Sequence, residues 1–157
     1  MNNQATDKII EDTRIIRERF VELVDGLTIE QLNRIPAGFA NNIAWNFGHI
    51  VISQQTLCYD RGGFKGVIDP AFIPKYARGS KPEGFISAVE IGELKQLAFS
   101  LTDRLATDLE NGYFQGFQPF VTLFGMQVRN AAEAAAYSIS HDHLHLGYAM
   151  AQRKIVR

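Results

Sequence analysis

Apolar residues recur at threes and fours along the first part of the chain: Ile9, Ile16, Phe20, Leu23, Val24 and Leu27, with Lys8, Glu11, Arg14, Glu18 and Glu22 between them. This is the spacing of one helical face and predicts an amphipathic helix over 7–25. Thr6 can cap its start, and Gly26 can end it in a left-handed conformation. In "LTIEQLNRIP", Thr28 and Gln31 have the spacing of a capping box and Pro36 follows, which predicts a short connecting helix.

A second long helix is expected over 42–61, capped by Asn41 or Asn42 and ended by "RGG". Residues 62–84 carry three prolines and five glycines and read as a long irregular connection, with Phe64, Phe72 and Tyr76 expected to pack on the body. Ser87 and Glu90 form another capping box for a third helix over 87–111, whose Leu94, Leu97, Leu101, Leu105 and Leu109 lie at helical spacing before Gly112. The aromatic-rich "YFQGFQPFVTLFGM" reads as a connection with at most one short extended piece, which makes no sheet. The alanine-rich "RNAAEAAAYSIS" opens a last helix expected over 126–153. Four long helices without a strand pair predict an all-α four-helix bundle, and nothing in 1–157 suggests a repeat or a second domain.

Composition narrows the function. A chain of 157 residues, 46% hydrophobic and 21% charged, has the balance of an ordinary globular domain. Its net charge of -1 supplies no field for a phosphate backbone or an anionic lipid surface, so nucleic acid and membrane are not expected partners. The basic "QRKIVR" at the end suits the C-terminal dipole of a helix. The single Cys58 excludes an internal disulfide and a multi-cysteine zinc site. With a polar first segment and no long apolar run, a cytoplasmic location is expected.

Three of the four histidines fall in "SISHDHLHLGYAM". His141 and His145 are four residues apart and share one helical face, whereas His143 is rotated about 200° from His141 and should point elsewhere. Such a pair is often a surface coincidence and needs a third partner to become a site. The remaining histidine, His49, lies in "NNIAWNFGHIVIS" on the second helix, among apolar neighbours that favour a neutral ring. Alone it reads as a core histidine. Three neutral imidazoles converging from two helices would suit a divalent transition metal, zinc or nickel, and three protein ligands leave positions open for water or substrate. Asp142 lies about 100° round the helix from His141, and Cys58 lies about 13 Å along its helix from His49, so neither is expected to join the ligands.

These segments resemble a known family. "NNIAWNFGHIVISQQ" is similar to the helix-two signature of the DinB-like (DinB/YfiT) superfamily of metal-binding bundles, and "HDHLHLGYAMAQRK" is similar to its helix-four signature. The resemblance extends over nearly the whole chain. It implies an up-down-down-up four-helix bundle, frequently a homodimer, with the family's metal triad falling on His49, His141 and His145. His143 matches no ligand position. It also implies a metal-dependent enzyme, either a transferase using a low-molecular-weight thiol or a hydrolase, whose reactive group is a metal-bound water or thiolate. The alternatives are a non-catalytic, stress-related metal-binding or interaction bundle, and a metal-free helical dimer in which the histidines form a polar cluster. Relatives often carry Gly-Gln after the second helix-four histidine where this chain has Gly147 and Tyr148. Trp45 and Tyr148, each a helical turn from a histidine, are candidate pocket residues that could equally be packing aromatics.

Overall fold

The computed structural model describes residues 3–157. Six helices follow one another: α1 (Asn3–Asp25), α2 (Ile29–Asn33), α3 (Ile43–Cys58), α4 (Phe72–Tyr76), α5 (Ala88–Glu110) and α6 (Ala131–Val156). A two-stranded antiparallel hairpin, β1 (Phe120–Val121) and β2 (Gln127–Val128), lies between the last two. The four long helices form an all-α bundle.

Side-chain bonds between the helices fix their directions. Arg14 and Asp25 on α1 pair with Asp103 and Lys95 on α5, so these helices run antiparallel. Arg17 on α1 meets Asp142 on α6, and the Arg157 guanidinium approaches Gly26, so α1 and α6 run parallel. Asn46 binds His145 while Asn41 binds Gln152, which makes α3 antiparallel to α6. Gln54 reaches Thr102 and Tyr59 reaches Asp108, so α3 and α5 are parallel. The order is therefore up-down-down-up. Parallel neighbours cannot be joined by a tight turn, so the chain between α3 and α5 must travel back along the bundle. This is why residues 62–84 are long.

Several local expectations are corrected. Thr6 lies inside α1, which begins at Asn3, because Gln4 and Ala5 extend the helix without penalty. Gly26 has no left-handed conformation; its N–H bonds Glu22 and the N–H of Leu27 bonds Val24, tightening the turn before Thr28 caps α2. Asn42, rather than Asn41, caps α3, whose α-helical part stops at Cys58. A 3-10 turn, Asp60–Gly62, then leads to the left-handed Gly63. Ser87 caps α5, but Glu90 gives its carboxylate to Lys75 and Tyr76 instead of closing a box. The supposedly irregular 62–84 stretch contains α4, and the aromatic connection forms a strand pair: Gln127 and Val128 bond β1, which delays α6 until Asn130 can cap it. Favourable Arg153 and Lys154 in the last turn carry α6 to Val156.

The core has two apolar clusters. One is built around Phe20, Phe47, Ile50, Leu94 and Tyr76, the other around Ile10, Tyr59, Leu105 and Ala135, with Phe64 and Phe117 packed on the latter. Each long helix also contributes buried polar residues to a polar belt: Thr13 and Arg17, Gln54 and Gln55, Thr102, and Ser138 and Asp142. This polar belt lies beside the histidines.

Candidate metal centre

The site starts from α3, whose first turn is held by Asn42. Its Oδ1 accepts from the Trp45 N–H at 2.8 Å and its Nδ2 donates to the Asn33 carbonyl at 2.9 Å, so one side chain caps α3 and anchors α2. Residues 43–52 of α3 are buried all round, because α4, α5 and α6 pack on it, and His49 is 5% exposed. On α6, Ala131, Ala132, Ala134 and Ala135 are all buried, small enough for neighbouring elements to approach closely. One turn separates His141 from His145 on the same face. The ring centroids stand 4.5 Å apart for His49 and His145, 4.6 Å for His141 and His145, and 5.1 Å for His49 and His141. One nitrogen from each ring lies within 4.8 Å of the other two.

Hydrogen bonds decide which nitrogens are free. The His49 Nδ1–H donates to the Tyr76 carbonyl at 2.6 Å. The His145 Nδ1–H donates to Oδ1 of Asn46 at 2.8 Å, and Asn46 must present its oxygen there because its Nδ2 donates to the Asn42 carbonyl at 2.9 Å and to Gln152 Oε1 at 3.2 Å. Both histidines therefore keep an unprotonated Nε2, the arrangement that fixes a metal-binding imidazole in one tautomer. In this structure Nε2 of His49 accepts from the Ser53 hydroxyl at 3.3 Å. His141 differs: its Nδ1 is buried and has no hydrogen-bond partner.

The electrostatics agree. Burial lowers His49 to about 4, against the opposing pull of the Tyr76 carbonyl bond, with a smaller lowering from His141. Burial, then the neighbouring His141 and His49, lowers His145 to about 3. Both rings are neutral donors at neutral pH. Bonds of about 2.0–2.1 Å to a tetrahedral ion place donors about 3.3 Å apart, so small ring movements suffice to bring three donors from within 4.8 Å onto one ion. The donor set and the orphaned Nδ1 of His141 fit a divalent transition metal.

Residues 13–149 match the family profile of the DinB superfamily. The chain belongs to the DinB superfamily. No curated protein matches it.

In this DinB-superfamily bundle the other candidate residues separate clearly. His143 is exposed and bonds the Ile139 carbonyl of its own helix at 2.8 Å. Cys58 is buried in the second apolar cluster, where burial pushes its thiol up to about 12. Asp142 pairs through Oδ2 with Arg17, while its Oδ1 lies 3.9 Å from Nδ1 of His141. Trp45 stacks flat on His49, with centroids 4.7 Å apart and planes 10° apart, and its Nε1–H donates to the Lys75 carbonyl and the Ser80 hydroxyl. It thus walls one side of the triad and also lines a surface cleft of about 170 Å³ with Lys75, Phe85 and Glu90. Tyr148 is instead 41% exposed and packs edge-on against Phe39.

Four supporting residues were not anticipated from sequence. Tyr76 and Asn46 orient two histidines, Gly48 leaves room for the Tyr76 ring, and Gln152 holds Asn46. Asn46 and Gly48 did carry a signal, as a polar residue and a helix breaker inside an otherwise apolar run. Arg17 carried one too, a charge on the stripe of Ile10, Thr13, Phe20 and Val24.

Proposed function

We propose that His49, His141 and His145 bind one divalent ion, zinc or nickel, and that the protein is a metal-dependent enzyme of the thiol-dependent S-transferase or hydrolase type. The observation that carries this reading is the convergence of three imidazoles, two of them with Nδ1 already committed and Nε2 unprotonated. An ion held by three protein donors retains open positions and supplies Lewis-acid activation of a thiol or a water there. The chain's own residues do the rest. The Tyr76 carbonyl and Asn46 hold the rings, Trp45 shields one side from water, and the Ser53 hydroxyl beside His49 offers a polar contact to an incoming small molecule. A low-molecular-weight thiol is the proposed cosubstrate. Exposed Leu144, Tyr148 and Ile155 on α6 support a homodimer. None of the described helices is long and apolar enough to cross a membrane, in keeping with a cytoplasmic enzyme.

A second reading, a metal-binding bundle without turnover, is favoured by the way the triad joins α3 to α6 and would clamp them. Two measurements decide. Protein purified without a tag should take up close to one equivalent of zinc or nickel; uptake below about 0.1 equivalent removes both metal readings. Turnover of thiol and electrophile pairs, or of esters and amides, should then vanish in His141→Ala. Metal uptake with no turnover on any of them leaves the clamp.

A further inference from the structure

The polar belt holds more buried polar atoms than it has partners, and two of the orphans face each other. Nδ1 of His141 and Oδ1 of Asp142 are both buried and unpaired, and they lie 3.9 Å apart, just beyond hydrogen-bond reach. The other two histidines of the cluster each have Nδ1 committed to an oxygen acceptor. His141 lacks one, and a carboxylate oxygen without a hydrogen-bond partner lies beside it.

That carboxylate is itself held in place. Its second oxygen, Oδ2, accepts from Arg17 Nε at 2.7 Å, and Arg17 Nη2 donates to the Ile50 carbonyl, one residue beyond His49, at 2.9 Å. Both side chains are fully buried. A buried ion pair is weak evidence for a stabilising role, since apolar residues of similar volume often serve a core as well. Leaving Oδ1 unpaired beside an unpaired ring nitrogen makes a purely structural role a poor account of Asp142.

We propose that Asp142 is the positioning residue for His141: its Oδ1 takes the Nδ1–H, fixes that tautomer and leaves Nε2 for the metal, while Arg17 holds the carboxylate at the correct angle. The inference rests on the metal reading of the triad. All three rings would then share one design, with Nδ1 bound to protein oxygen and Nε2 directed at the ion.

Nitrogen-15 NMR of histidine-labelled protein tests this. In the metal-free protein, Nδ1 of His141 is expected to give the signal of a protonated nitrogen and Nε2 that of an unprotonated one, with Nε2 moving on zinc addition. An unprotonated Nδ1, or zinc binding through Nδ1, overturns the proposal. Asp142→Asn should lower zinc affinity, because a side-chain amide that offers its oxygen to Arg17 turns its N–H₂ towards His141 and inverts the tautomer. Since that variant leaves Arg17 buried without a counter-charge, the double variant Arg17→Leu/Asp142→Leu is the companion. Folded by circular dichroism, it should bind zinc about 10- to 100-fold more weakly. Wild-type zinc affinity in the folded double variant means that the pair only ties α1 to α6. If the unmutated protein takes up no zinc, the metal reading fails by itself, and the tautomer of His141 still reports on Asp142.

Discussion

Asn46 on α3 and His145 on α6, ninety-nine residues apart in the chain, are joined by a 2.8 Å hydrogen bond that determines which nitrogen of His145 is free. Asn46 does this because Gln152 and the Asn42 carbonyl take its N–H₂ group and turn its oxygen to the ring. Asn46→Ala should weaken zinc binding by about 10- to 100-fold. It should also cost about 1–3 kcal/mol of stability, as the His145 Nδ1–H and Gln152 Oε1 lose a buried partner. Competition titration with a chromophoric chelator and urea unfolding give the two numbers; an unaltered zinc affinity would show that Asn46 does not orient the ring.

Gly48 lies directly under the Tyr76 ring, where any Cβ would overlap the ring carbons. An alanine in a helix interior normally stabilises by about 1 kcal/mol relative to glycine. Here that gain is outweighed by overpacking, which costs about 1–3 kcal/mol, and a shift of α4 to relieve it would draw the Tyr76 carbonyl away from His49. Gly48→Ala is therefore expected to lower both the melting temperature and the zinc affinity. A stabilised variant with normal affinity would mean that α4 is free to move.

The three histidines of α6 should separate on substitution. His145→Ala removes a member of the converged triad and is expected to abolish stoichiometric zinc uptake. His143→Ala changes an exposed side chain bonded only to its own helix, and should leave zinc affinity within about twofold and stability within about 0.5 kcal/mol. Equal losses in the two variants would put the helix in a different register.

Acid should destabilise the metal-free protein through its buried rings. Burial lowers His49 to about 4 and His145 to about 3, whereas both titrate near the ordinary 6.5 once unfolded. Between these values the unfolded state binds more protons, so stability is full above pH 6.5 and falls as the pH drops towards 4 and 3. The urea midpoint of the metal-free protein should decline from pH 7.5 to pH 5, and His145→Gln should flatten that decline. An equally steep decline in the variant would assign the effect to other groups. Zinc should shift the profile, because protons compete for the same nitrogens.

Local pattern made much of the fold legible. Thr28, Asn42 and Ser87 cap their helices within three residues of themselves, and such short-range bonds depend on neighbours in sequence. Two of the errors fell where a distant partner intervened. Glu90 has the spacing to close a capping box at Ser87, but Tyr76 and Lys75 offer it a better use. Gln127 and Val128 resemble the start of a helix, yet β1 takes their backbone groups.

The same division runs through the site. The amino-acid sequence alone determined that His141 and His145 share a helical face, that His143 leaves it, and that His49 lies in an apolar run, because helical spacing and composition are local properties. Only the tertiary structure decided that His49 meets that pair, that Tyr76 and Asn46 orient two of the rings, and that Arg17 holds Asp142 beside the third. Those relationships join residues 27, 99 and 125 positions apart, and they exist only once the packing of α1, α3, α4 and α6 brings the backbones within reach of one another.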